Sequence, residues 1–312
     1  MPKHSQNRHG FLNINWKQVY NDRLLYLILL VPLVQILIFR YLPIAGLSIS
    51  FLDYNVVGGI FKSKFVGFKW FQRLFTSANF TLLLKNNIIL SFYTIVFTFP
   101  MPIILAISFN ELSSKMFKKV AQTISYMPYF ISVVIVVGIM NQLLSPSGGI
   151  VNKLLSSLGS EPVYFMSSPQ WFRFLYVVSD IWQTSGWTAI IYLAAITSIP
   201  GDLYEAAEID GAKRLQRIWH VTIPGMLPTI IVLFLLKVGQ SMDLGYEKVL
   251  LMYSPQTYEV ADIFDTFVYR RGILSMDYSF ATATGLFKSL ISFVLVVSAN
   301  KISNKIADVG LW

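Results

Sequence analysis

Apolar residues are gathered into six long runs, at about 24–46, 86–109, 119–143, 172–197, 228–251 and 280–302, separated by shorter polar stretches. A helix rises ~1.5 Å per residue, so each run is long enough to cross roughly 30 Å of hydrocarbon. Pro100 and Pro102 interrupt the second run and Pro128 the third. Prolines inside such helices are tolerated where neighbouring helices satisfy the freed carbonyls. The pattern predicts an all-α integral membrane protein with six transmembrane helices. It comprises a tail at 1–23, a transmembrane domain at 24–303 holding one charged block at 204–228, and a second tail at 304–312.

Polar side chains inside the runs fall on defined faces. In the second run Asn87, Ser91, Thr94 and Thr98 recur at steps of four, three and four, which aligns them on one helix face. In the fourth, Asp180, Gln183 and Trp187 share a face, with Trp182 nearby. In the fifth, Lys237, Gln240 and Leu244 do the same, with Ser241 and Asp243 close by. The sixth carries Lys288. Hydroxyl and amide groups of this kind commonly join packed helices. Asp180, Lys237 and Lys288 are costlier to bury, so they are expected to face a cavity or to pair internally. Asp180 and Lys288 lie at similar depth by residue count, which makes an ion pair between them one expectation and a substrate contact the other.

Composition narrows the class. Of 312 residues, 54% are hydrophobic and 13% charged, against about 25% charged in a soluble domain. The net charge of +9 does not indicate nucleic acid, because the basic residues are scattered through short loops and form no continuous patch. Their bias instead sets orientation. Lys3, Arg8, Lys17 and Arg23 precede the first run, and Lys115, Lys118 and Lys119 follow the second. Both termini are therefore expected in the cytoplasm. No small-residue cleavage site follows the first run, so it reads as a retained signal-anchor. The sequence contains no cysteine, so disulfides and thiolate chemistry are excluded. His4, His9 and His220 have no metal-binding spacing.

The block from Tyr204 to Pro228 is the most charged part of the chain, and the orientation places it in the cytoplasm. Glu205, Ala206, Ala207 and Glu208 favour a helix, with Asp202 as its N-cap. Gly211 permits a break. Ala212–Trp219 would form a second short helix carrying Lys213, Arg214 and Arg217, ended by Pro224 and Pro228. A charged loop helix is usually just a solvated face. Here the spacing argues for more. Glu205-Ala206-Ala207, Gly211, Val221 and Ile223-Pro224 resemble the EAA signature of ABC-importer permeases, the binding-protein-dependent inner-membrane components. The family usually has Ile and Leu where this chain has Val221 and Ile223, both small apolar changes. "YLPIAGLSISFLDYN" (41–55), "FVGFKWFQRLF" (65–75), "WTAIIYLAAITSIPGDLYEAAEIDGA" (187–212), "VYRRGI" (268–273), "ATGLFKS" (283–289) and the terminal "GLW" (310–312) are similar to the sugar and polysaccharide-uptake branch.

The resemblance implies a type I importer fold whose cytoplasmic coupling helix docks in an ATPase subunit. The coupling residues it implies are Glu205, Ala206, Ala207, Asp210, Gly211, Ala212, Arg214 and Pro224. It further implies a second, different permease chain, two cytoplasmic ATPase subunits, an extracellular solute-binding lipoprotein and an oligosaccharide substrate. The chain has no G-x-x-x-x-G-K-[ST] loop to cradle ATP, so no cofactor is expected in it. ATP and Mg would belong to the partners. A sugar path needs hydroxyl-matching groups and flat aromatic faces, for which Asn87, Asp180, Trp182, Gln183, Trp187, Lys237 and Gln240 are the candidates. No catalytic and no metal residues are expected.

Two rival functions share some of these features. An intramembrane enzyme would need convergent carboxylates, and Glu259, Asp262 and Asp265 at steps of three suggest an acidic helix face able to hold a metal or a base. An ion-coupled sugar transporter would use Asp180 and Lys237 but would leave the charged block without a role.

Overall fold

The computed structural model describes residues 20–307 and 309–311. Lys3, His4, Arg8, His9, Lys17 and Trp312, and with them most of the N-terminal tail, lie outside the described residues. What is described is almost entirely helical. Its helices include α1 (Arg23–Phe51), α2 (Phe80–Glu111), α3 (Lys115–Phe130), α4 (Val133–Leu143), α5 (Pro169–Thr197), α6 (Gly201–Ile209), α7 (Arg214–Gly239), α8 (Tyr246–Met252) and α9 (Tyr278–Ala307). Between α1 and α2 a two-residue antiparallel ladder pairs Leu52 with Phe65 and Asp53 with Lys64.

Four of these helices, α1, α2, α7 and α9, are each long and apolar enough to cross a membrane. The six spans expected from the sequence do not all appear as single membrane-crossing helices. The third run is broken into α3 and α4, which meet at 102°. Pro128 lies in a tight 3-10 turn, Met127–Phe130, and Ser132 caps the restart by accepting a hydrogen bond from the Ile135 amide (3.4 Å). The fourth run forms the 29-residue α5, about 43 Å long at ~1.5 Å per residue. Arg173, Asp180, Gln183 and several hydroxyl residues make it less apolar than the other four. The fifth run stops at Gly239 rather than 251, and Gln240–Gly245 is irregular before α8 begins.

Three prolines share one solution. Pro43, Pro100 and Pro224 each stand two residues after a π-turn, at Leu37–Tyr41, Thr94–Thr98 and Ile218–Thr222. In each case the amide just before the proline bonds five residues back: Leu42 to Leu37, Phe99 to Thr94 and Ile223 to Ile218. The widened turn accommodates the ring and the missing N–H that would otherwise break the helix. Pro224 therefore does not end a short helix as expected. The helix continues through it, and Pro228 lies inside the same helix.

α5 is the central element, packed on α2, α3 and α7. One cluster joins Ala106 and Phe109 of α2, Ala189, Tyr192 and Ile196 of α5, and Met226 of α7. A second gathers Leu90, Phe172, Leu175 and Tyr176 with Val249 of α8 and Ile263. A third ties Trp70 and Leu74 of the first loop to Leu83, Phe264, Phe267 and Phe280. By contrast, no residue of α1 up to Tyr41 is buried. At Gly186 of α5 a Cβ would overlap the carbonyl of Ser125 in α3. Gly186→Leu is therefore expected to separate the two helices. Over-packing typically costs 1–3 kcal/mol, so its purified complex should lose activity on heating several degrees below wild type. Unchanged heat tolerance would show that the contact is not needed.

Candidate coupling elbow and translocation cavity

The elbow begins at Pro200. Pro200 is the N-cap of α6, and Asp202 sits in the first turn without capping the helix through its side chain. That corrects its expected role, although its charge still suits a helix N-terminus. The C-terminus explains the glycine of the signature. Gly211 has a left-handed φ of +76°. Its amide bonds Glu208 O (3.0 Å), and the Ala212 amide reaches back to Ala207 O (2.9 Å). These are the paired bonds of a Schellman stop, which favours glycine at this position. Beyond it, the Gln216 side chain accepts from the Lys213 amide (2.7 Å) and starts the next turn. The expected second helix at Ala212–Trp219 is thus the leading end of α7, not a separate element.

Three contacts fix the elbow, one to the end of α2 and two within the block itself. Arg214 grips both the carboxylate and the backbone carbonyl of Glu111 at the end of α2. Arg217 pairs with Glu208 (3.1 Å), and Tyr204 hydrogen-bonds Thr222 (3.0 Å). The outward surface stays free. Glu205, Ala206, Asp210, Gly211 and Pro224 are exposed, Ala207 and Ala212 partly so. The apolar Leu203, Ile209, Leu215 and Trp219 are 52%, 86%, 70% and 65% exposed. None of the residues of α6 is buried.

Within the bundle lies a polar cavity of about 440 Å³. It is lined by Ser91 and Thr94 of α2, Tyr176 and Asp180 of α5, Lys237 at the end of α7, and Gln240, Ser241 and residues 243–248. A smaller cavity of about 230 Å³ shares Lys237 and Gln240 and adds Thr98, Thr184, Thr188 and Tyr192. The wall from 240 to 248 is clamped at several points. Asn87 donates to Met242 O (3.3 Å), Ser91 to Ser241 O, and Tyr176 to Leu244 O (2.6 Å). Lys248 reaches Asp180 (3.4 Å) and Tyr176 O (3.2 Å).

The ion pairs differ from the expected one. Asp180 does not meet Lys288. It pairs with Lys248, while Lys288 holds Asp243 and Asp265, both at 2.5 Å. The acidic helix face at 259–265 does not form either, because the chain breaks between Tyr258–Ala261 and Phe264–Val268. Asp262 is engaged by Arg270 (2.5 Å) and Thr266 (2.7 Å). Burial pushes the Asp265 carboxyl above its ordinary pKa, with the Lys288 ammonium pulling the other way. Among the described residues no cluster of His, Cys, Asp or Glu could hold a metal ion.

The structure sorts the residues named for a sugar path. Asp180, Lys237 and Gln240 line the cavity. Asn87 does not, since it is fully buried and its carbonyl oxygen accepts from the Phe264 amide (2.9 Å). Gln183 donates to Ile131 O (2.9 Å), bracing the break between α3 and α4. Trp182 faces a separate, apolar cavity of about 240 Å³ with Val136 and Met140. Trp187 is 39% exposed and stacks on Tyr129, with centroids 5.0 Å apart and planes at 9°, and meets Phe130 edge-on at 5.3 Å. Tyr129 and Phe130 follow Pro128 inside an apolar run, where an aromatic residue carries no signal of its own. Lys248 carries no signal in the sequence because it falls inside the fifth apolar run at 228–251.

A helical membrane bundle with a polar interior, and with an exposed charged elbow built around a glycine stop, defines a transport subunit. The chain belongs to the family described as binding-protein-dependent transport system inner membrane component, whose model matches residues 98–307. The polygalacturonan/rhamnogalacturonan transport system permease protein YteP of Bacillus subtilis (strain 168) is 42% identical over 295 residues, covering 95% of this chain and 92% of that protein. Protein LplB of the same organism is 42% identical over 300 residues, covering 96% and 94%. Among solved structures, a chain of a bacterial alginate ABC transporter, in complex with alginate pentasaccharide-bound periplasmic protein, superposes with a TM-score of 0.87. It is 43% identical and covers 95% of this chain and 99% of its own.

Proposed function

We propose that this chain forms one half of the pore of an ATP-driven importer for an oligosaccharide, paired with a second permease chain. Two cytoplasmic ATPase subunits would burn ATP with Mg, and an extracellular solute-binding lipoprotein would deliver the sugar. No bond of the substrate is broken here. The observation that carries the reading is the combination, in one chain, of an outward elbow and a hydroxyl-lined interior cavity, connected by a continuous helix. α7 runs unbroken from Arg214 in the elbow to Lys237 at the cavity. A stiff helix of this kind transmits a displacement at one end to the other. The permeases named above, for polygalacturonan/rhamnogalacturonan and alginate, support an oligosaccharide as cargo.

In this reading the cytoplasmic side is the elbow side, so both tails face the cytoplasm. The coupling residues are Glu205, Ala206, Ala207, Asp210, Gly211, Ala212, Arg214 and Pro224. Arg214 acts by fixing the elbow to Glu111, and the others by shape and charge at the exposed surface. Asp180, Lys237 and Gln240, with Ser91 and Thr94, offer hydrogen bonds to sugar hydroxyls. The Tyr129–Trp187 stack offers a flat aromatic face.

The test is reconstitution of the chain with its partners in liposomes. The sugar-loaded binding protein should stimulate ATP hydrolysis and drive accumulation of labelled oligosaccharide. Stimulated hydrolysis with no accumulation would defeat the reading. Trp187→Ala is expected to lower the uptake rate about three- to tenfold, the size of one or two aromatic contacts, with the ATPase subunits still bound. Undiminished uptake would remove the stack from the path.

A further inference from the structure

Outside the polar cavity, a separate groove of about 650 Å³ runs between α2 and α5. Its two ends differ in chemistry. Arg173 donates to Asn86 (3.1 Å), which places those two residues at one level. From that level both helices run the same way. Tyr93 and Phe97 follow Asn86 on α2, while Val177, Val178 and Ile181 follow Arg173 on α5. One end of the groove is therefore lined by aromatic and aliphatic side chains only. The other holds Arg173, Gln170 and Glu259.

The charges at the polar end are not spent within the protein. Among the described residues Arg173 has the single hydrogen bond to Asn86 and no ion pair, and its Nε is buried without a partner. Glu259 lines the same groove, and its carboxylate has no cation partner among the described residues. The two are too far apart to form an ion pair with each other. Arg173 is half-buried and Glu259 exposed, and leaving the buried Arg173 Nε without an acceptor is costly beside hydrocarbon. A single ligand would satisfy all of this: a phosphate on Arg173, an ammonium on Glu259, and a chain lying along Tyr93, Phe97 and Ile181.

We propose that this groove binds one membrane phospholipid with a primary-amine headgroup of the phosphoethanolamine type. The guanidinium holds the phosphate, since Arg suits phosphate geometry. The Glu259 carboxylate receives the ammonium, which an uncharged glycerol headgroup lacks. The order of polar and apolar residues along the groove matches an amphiphile entering from the bilayer with its head at the Arg173 level.

The probe is native mass spectrometry of the whole transporter complex, released from micelles containing equal amounts of phosphatidylethanolamine and phosphatidylglycerol with identical acyl chains. The wild type is expected to retain one phosphatidylethanolamine in preference. Arg173→Gln should lower retention of both lipids about tenfold, the equivalent of about 1.4 kcal/mol and in the range of one charge-assisted hydrogen bond. Glu259→Gln should leave retention intact but abolish the preference between the two. No retained lipid in the wild type, or unchanged retention in Arg173→Gln, overturns the proposal. So does a Phe174→Cys variant that cross-links to the second permease, because the groove would then be covered by protein. Oligosaccharide uptake by the wild type is measured in parallel and is independent of the lipid result.

Discussion

Uptake is expected to fall to background in Gly211→Asp and in Glu205→Lys, with both proteins still inserted and recovered from the membrane at wild-type levels. Gly211 holds φ +76° at the stop of α6, where a residue with a Cβ is disfavoured by about 1–2 kcal/mol. The stop sets the angle between α6 and the leading end of α7. A strained stop would reorient Ile209, the most exposed apolar residue of the elbow at 86%. The aspartate also adds a negative charge beside Asp210. Glu205→Lys leaves the backbone alone and reverses one exposed charge, so it tests docking without touching the stop. The measurement is co-purification of the ATPase subunits together with sugar uptake. Wild-type uptake in both variants would mean that the elbow carries no force.

The second large effect is expected at the Asp180–Lys248 pair. Their side chains are only 19% and 7% exposed, and Lys248 also lies over the Tyr176 ring at 4.7 Å. Removing one partner of such a pair leaves a charge stranded and commonly costs 3–5 kcal/mol, whereas replacing both with neutral groups is often tolerated. Lys248→Met should therefore lower the temperature at which the complex loses activity by many degrees. Lys248→Met combined with Asp180→Asn should recover most of the loss. A double variant no better than the single one would show that Lys248 matters for something other than neutralising Asp180.

Both predictions concern residues that the chain order reveals unequally. The elbow was legible because its signals are local. Small residues, a charge change and a glycine at one offset are all contained in a dozen positions, and the Schellman bonds from Gly211 and Ala212 realise them over the same dozen. Asp180 was legible as an anomaly, a carboxylate in an apolar run, yet its partner was not. Lys248 appeared to belong to the same continuous helix as Lys237. Only the break at Gln240–Gly245 turns it back onto α5. Asn87 and Gln183 likewise look like cavity residues by spacing and prove to be braces, because carbonyls freed at irregular turns need donors. Arg173 and Asn86 carry no sequence signal, since their meaning depends on each other across 87 positions.

What the chain determined by itself was its apolar solvent, its helical class and the local helix–stop–helix form of the charged block around Gly211. These follow from hydropathy and from short-range hydrogen-bonding rules that act within a few residues. Tertiary structure decided which charges pair, where the third and fifth runs break and which polar groups enclose empty space. Those outcomes depend on burial, and burial is a property of helices that meet only after the chain has folded.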